Sequence, residues 1–353
     1  MKPVIFGLSG LSLTADERDF FRDVDPAGYI FFARNIESPD QISALTGSLR
    51  ALHGRDDLPI LIDQEGGRVI RMKPPVWPQF PAGAVFDALY DIAPITAIEA
   101  ARVNAEAIAL TLSEVGITVN CLPILDVRVP DTHSAIGDRA LGSDPLRVAA
   151  LGRAVLDGLH KGGIVGVVKH MPGQGRASVD SHHSLPRVSA SAAQLEQDIA
   201  PFRALRDAPM GMTCHVMFEA WDDAFCATMS AKIIGGIIRD AIGFDGLLMS
   251  DDLDMQALTG DVSDRAADCV AAGCDIALNC WGRMDEMIRI SGKLPDITDI
   301  AKSRLDRAMA GRHAPLPSGR LTELLDKRDQ LLAIAGDKIA TKLTQAATGA
   351  SHG

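Results

Sequence analysis

Short apolar runs bounded by Gly, Pro or Asp alternate along the chain with longer segments whose apolar positions recur at helical spacing. That alternation is the pattern of strand–helix units on a parallel sheet. Eight runs read as strands, at 4–7, 28–32, 59–63, 118–126, 163–170, 211–217, 246–251 and 274–279. Between them lie helical stretches at 14–22, 39–53, 96–115, 145–160, 192–206, 231–241, 262–272 and 283–290. Thr14, Ser38 before Pro39, Asp144 before Pro145, and Ser230 stand where helix caps and first-turn prolines are favoured. The runs do not alternate in polarity, as expected of strands covered on both faces. This favours an α/β fold, a closed (β/α)8 TIM barrel over 1–310, with a doubly wound open sheet as the structural rival. Helical stretches at 298–310 and 321–343 follow the last unit. The segment 311–353 is expected to be a C-terminal helical extension packed on the barrel, with a frayed tail from 346.

Composition narrows the class. At 353 residues, 47% hydrophobic and 23% charged, the chain can bury a substantial core, and α/β barrels of this length are single domains. A net charge of -11 with no block of Lys and Arg excludes nucleic acid as a partner and favours a small or neutral ligand. No apolar run approaches the ~20 residues of a membrane span, so no membrane partner is expected. The first residues resemble a leader, but they run into Asp16-Glu17-Arg18-Asp19 without a small-residue cleavage site, which favours a buried strand. The six cysteines lack metal-ligand spacing and several lie in apolar runs. They read as buried thiols in a reducing, cytoplasmic setting, with no metal and no cofactor.

In a barrel, functional groups gather where strands end at their carboxyl side. Here the third run ends at Asp63 and enters Gln64-Glu65-Gly66-Gly67-Arg68-Val69-Ile70-Arg71. The fifth ends in Lys169-His170, the sixth near His215, and the seventh in Ser250-Asp251-Asp252. The long segments 73–81 and 128–143 also follow strands, as site-building loops do. Asp251 and Asp252 could project a nucleophile or merely cap the following helix. Lys169 and His170 could be solvated. In Asp180-Ser181-His182-His183 an aspartate stands two residues before an imidazole. That is either a local hydrogen bond or an oriented proton-transfer group.

These segments together resemble glycoside hydrolase family 3, in particular its single-domain β-N-acetylglucosaminidases of the NagZ type. Asp63 to Val69 is similar to the family's DQEGGRV segment, and Ile136-Gly137-Asp138-Arg139 with Gly142 to its arginine loop. Lys169-His170 with Pro172-Gly173 and Gly175 is similar to KHFPGHG, Asp180-Ser181-His182 to the D-S-H loop, and Ser250-Asp251-Asp252-Leu253 with Met255 to SDDL. Met171 and Gln174 depart from the pattern, standing where Phe and His are usual. The resemblance implies a retaining β-N-acetylhexosaminidase with Asp251 as nucleophile and His182, oriented by Asp180, as acid/base. It further implies that Asp63, Arg71, Arg139, Lys169 and His170 bind the sugar, Arg71 being taken over Arg68. The implied substrates are N-acetylglucosaminides such as cell-wall muropeptides, and the implied state is a monomer. Three alternatives stand beside this reading: a phosphorylase on the same fold, a Schiff-base aldolase using Lys169, and a non-catalytic sugar-binding barrel.

Overall fold

In the computed structural model, which describes residues 1–180, 184–312, 319–334 and 336, all eight runs contribute strands to one closed parallel barrel. They are β1 (Lys2–Gly7), β2 (Pro26–Phe31), β3 (Ile60–Ile62), β4 (Val119–Asn120), β5 (Val165–Met171), β6 (Met210–Thr213), β7 (Leu247–Asp252) and β8 (Ile276–Asn279). Each pairs with its sequence neighbour, and β1 pairs with β8 to close the ring, so the open-sheet rival is excluded. The fourth run pairs in regular register for a shorter stretch than its apolar length suggests. Pro123 has no N–H to give to a ladder, although the Leu122 and Pro123 carbonyls still accept the Val167 and Lys169 N–H groups, and a paired bridge returns at Ile124 opposite Lys169.

Strand geometry sends alternate side chains to opposite faces, and here that parity places the site. Leu61, Val119, Val165, Val167, Met212, Leu247 and Met249 belong to the cluster that fills the barrel. Two residues beyond Leu61, Val167 and Met249, on the same face, stand Asp63, Lys169 and Asp251. The opposite end of the lumen is stopped by Leu305, Ala308 and Met309 of the helix Asp299–Ala310, which join the interior cluster.

Outside the barrel, α1 (Ala15–Val24) begins with Thr14 and Glu17 capping each other's backbone, and α2 (Pro39–His53) begins at Ser38. The helix Pro145–Lys161 is capped by Asp144, and Ser230 accepts from the Ile233 N–H at the start of the 231–241 stretch. The helix α3 (Gly83–Tyr90) was not expected. It starts at a glycine with no capping side chain and is too uniformly apolar to show a helical stripe. In the extension, Arg320–Ala333 lies along α4 (Pro94–Glu114), with Leu324 buried and Arg320 2.7 Å from the buried Glu106. The remainder of the expected 321–343 helix beyond 336, and the tail, lie outside the described residues. Among the described residues no helix is long and apolar enough to cross a membrane. All six cysteines are buried and unbridged.

Candidate active site

The mouth of the barrel opens into a cleft of about 300 Å³ whose lining includes Asp63, Arg71, Arg139, Lys169, His170, Asp180 and Asp251. Every expected site residue among those described therefore faces one cavity. His182 lies outside the described residues.

The floor is a buried ion cluster. Lys169, 2% exposed, places Nζ 2.9 Å from Asp63 Oδ1 and 2.7 Å from Glu65 Oε1. Arg71 reaches Asp63 Oδ2 at 3.1 Å, and Arg139 grips Glu65 with both arms of its guanidinium at 2.9 and 2.8 Å. Burial alone would push both carboxyls up, but the cations outweigh it. Lys169 and Arg71 hold Asp63 well below the usual carboxylate range, and Lys169 and Arg139 hold Glu65 down at about 2. Burial works against the charge on Lys169 as well, yet Asp63 and Glu65 raise its pKa above that of a free lysine. An ammonium held this way has no lone pair to form a Schiff base, which removes the physical basis of the aldolase alternative.

Two glycines shape this floor. Gly66 and Gly67 have φ of +104° and +58°, and a Cβ on Gly66 would lie 2.1 Å from the Pro81 carbonyl oxygen. The chain can thus fold tightly over 80–82 and bring Arg71 back beside Asp63. Arg68 turns away from that pair, donating to Asp138 at 2.8 Å and to the Ser134 and Ala135 carbonyls. It braces the loop that carries Arg139.

His170 is oriented by a residue the sequence reading passed over. Asp126, fully buried, meets His170 Nδ1 at 2.7 Å through one carboxylate oxygen and accepts the Gln174 N–H at 2.6 Å through the other. The signal was present, since Asp126 is the polar end of the fourth apolar run, the same position that marked Asp63 and Asp251. Glu65, inside the segment that follows Asp63, gains its role only through its contacts with Lys169 and Arg139. Met171, the first departure from the family pattern, is wholly buried in the core, and Gln174, the second, lines the cleft. On β7, Asp251 Oδ1 accepts the Asp252 N–H at 2.8 Å. The next helix, Val262–Ala272, is capped by Asp261, so neither Asp251 nor Asp252 serves as its cap. Asp252 is desolvated and lies near Asp254 and Asp251, and these together push its carboxyl up to about 7.

Comparison with known proteins agrees with this geometry. Residues 8–311 match the N-terminal domain of glycosyl hydrolase family 3. The chain belongs to that family. A β-hexosaminidase of Alkalilimnicola ehrlichii is 36% identical over 310 residues, 86% of this chain and 88% of the relative. One from Chromobacterium violaceum is 36% identical over 315 residues, 88% of this chain and 87% of the relative. Among solved structures, NagZ from Neisseria gonorrhoeae in complex with N-trifluoroacetyl-D-glucosamine superposes with a TM-score of 0.84 at 30% identity, covering 95% of this chain and 98% of that one. Family 3 membership explains why strand ends from distant parts of the chain converge here: the barrel is the shared scaffold, and the chemistry is grafted at its mouth.

Proposed function

We propose that the protein is a retaining exo-β-N-acetylglucosaminidase. Its class, a family 3 β-N-acetylhexosaminidase, follows from the family and from the β-hexosaminidases it resembles. In the mechanism, Asp251 attacks the anomeric carbon and forms a glycosyl ester while the glycosidic oxygen departs. His182, oriented by Asp180, protonates that oxygen and then takes a proton from the water that breaks the ester. Asp63, Arg71, Arg139, Lys169 and His170 bind the sugar hydroxyls and N-acetyl group.

One observation carries this reading. The parity of β7 puts Asp251 on the lumen side of the same cleft that holds the Lys169 cluster and Asp180. Because that cluster neutralises its own carboxylates, its cations position a sugar without requiring Asp251 as a partner. The N-trifluoroacetyl-D-glucosamine bound by the Neisseria relative supports an N-acetylglucosamine glycone. The substrates we propose are β-linked N-acetylglucosaminides of the GlcNAc–1,6-anhydro-MurNAc type, turned over in cytoplasmic peptidoglycan recycling.

The test is hydrolysis of 4-nitrophenyl N-acetyl-β-glucosaminide by wild type, Asp251→Ala and His182→Ala, with and without inorganic phosphate. Asp251→Ala is expected to lose on the order of 10⁴-fold in kcat. His182→Ala is expected to lose far less with this activated leaving group than with a disaccharide. Wild-type turnover by Asp251→Ala overturns the mechanism, and sugar 1-phosphate as the product turns the enzyme into a phosphorylase.

A further inference from the structure

The ladder between β6 and β7 stops early. Met210, Gly211 and Met212 pair with Leu247, Leu248 and Met249, and no pairing between the two strands continues beyond Met249. The stretch of β7 that delivers Asp251 therefore lacks a strand on that side. His215, two residues past β6 and fully buried, spans the gap, with Nε2 2.9 Å from the Asp252 carbonyl oxygen. We propose that His215 is a positioning residue for the nucleophile, taking the place of the missing ladder bond and fixing the backbone at Asp252, whose N–H in turn holds Asp251. This rests on Asp251 being the nucleophile, as read above.

The hydrogen-bond chemistry admits one consistent arrangement. A carbonyl oxygen only accepts, so Nε2 carries a proton. Burial lowers the imidazole pKa despite the nearby Asp251 carboxylate, so the ring is neutral and Nδ1 must accept. Its partner is the Thr228 hydroxyl at 2.8 Å, which in turn lies 2.8 Å from the Thr213 hydroxyl. The Cys214 carbonyl, 3.0 Å from Thr228 Oγ1, competes for the same proton. It could win only if both ring nitrogens were protonated, which burial opposes. The chain thus runs from Thr213 to Thr228, to His215 Nδ1, through Nε2–H to the Asp252 carbonyl. On the other side of that residue, the Asp252 N–H donates to Asp251 Oδ1 at 2.8 Å. A nucleophile must meet the anomeric carbon along a narrow approach, and displacement by an ångström can cost about 100-fold in rate.

The experiment exploits the two ring nitrogens. A glutamine can place its amide N–H near the position of Nε2, whereas an asparagine reaches only as far as Nδ1. With 4-nitrophenyl N-acetyl-β-glucosaminide, His215→Asn is expected to lose about tenfold or more in kcat with KM within about threefold, and His215→Gln to restore most of it. Thr228→Val should also lower kcat while Thr228→Ser holds it, which keeps the test decisive if His215→Asn fails to fold. A folded His215→Asn within about twofold of wild type, or equal losses in both members of either pair, overturns the proposal. Asp251→Asn separates the two readings. If it retains turnover, the nucleophile assignment falls, whereas if it is inactive and His215→Asn is not, only the positioning role falls.

Discussion

At the scale of single residues, the site sets two desolvated carboxyls, those of Glu65 and Asp252, against each other. Glu65 is charged because Lys169 and Arg139 outweigh its burial, with a pKa of about 2 against 4.5 for a free side chain. Its contribution to stability is therefore present above about pH 4.5 and is lost as pH falls through 2; it amounts to roughly 3 kcal/mol. Lys169→Met removes the shared cation and leaves two buried carboxylates short of charge. It is expected to cost about 3–5 kcal/mol at pH 7 and to abolish sugar binding. Urea unfolding from pH 7 to pH 3 checks this, because the variant should lose less stability on acidification than wild type. Asp252 works in the opposite sense. Its pKa of about 7 lies above the free value of 3.8, so the folded state holds the proton more tightly, and stability is lost as pH rises from about 4 through 7. Asp252→Asn keeps an acceptor for the Cys280 N–H at 3.3 Å and carries no charge to desolvate. It should match wild type at pH 4 and exceed it by up to about 4 kcal/mol at pH 8. Equal unfolding midpoints at both pH values would argue that Asp252 is not desolvated.

The loop after β5 shows at the scale of elements how the segment that carries Asp180 is launched. Gly175 sits so close to the loop after β4 that a Cβ would fall 1.8 Å from the Val127 carbonyl oxygen, and Thr132 holds the Gly175 carbonyl at 2.6 Å. Because the obstructing atoms are backbone, no side chain can yield. Gly175→Ala should destabilise by about 1–3 kcal/mol or more and lower kcat together with thermal stability, since Asp180 departs from this anchor. An unchanged melting temperature would mean the two loops separate at little cost. The strands and most helices were legible because apolar runs, caps and first-turn prolines act locally, as at Thr14, Ser38 and Asp144. Gly83–Tyr90 was not, because its helicity comes from packing against neighbours and not from a stripe or a cap. The candidate cleft was legible wherever a polar residue ends an apolar run, as at Asp63, Lys169 and Asp251, all of which line it. Asp126, Glu65 and the Thr228–His215 link depend on contacts between distant segments, which no local spacing records.

Over the whole molecule, the extension reaches the site through a chain of packed contacts. Arg328, on the helix Arg320–Ala333, donates to the Gln79 carbonyl at 3.2 Å and lies over the Phe80 ring at 5.8 Å. The Phe80 carbonyl accepts the Gly67 N–H at 2.8 Å, and Gly66 packs on Pro81. These glycines directly follow Glu65, which holds both Lys169 and Arg139. The extension thus backs the loop that forms the floor of the cleft, in addition to covering α4. Arg328 is 8% exposed, so Arg328→Ala removes both packing and a buried donor and should cost about 1–2 kcal/mol. Its effect on catalysis should fall mainly on binding: KM should rise a few-fold while kcat changes less, because the floor is the part proposed to bind the sugar and Asp251 stands on the opposite side of the barrel ring, on β7. Lys327→Ala is the matched control. Lys327 is on the same helix as Arg328, and the change breaks its 2.5 Å pair with Glu99 of α4, but that pair is solvent-exposed and should contribute well under 1 kcal/mol. Thermal melts and steady-state kinetics on the two variants decide the matter. If both shift the melting temperature alike and neither moves KM, the extension only covers α4 and has no part in shaping the cleft.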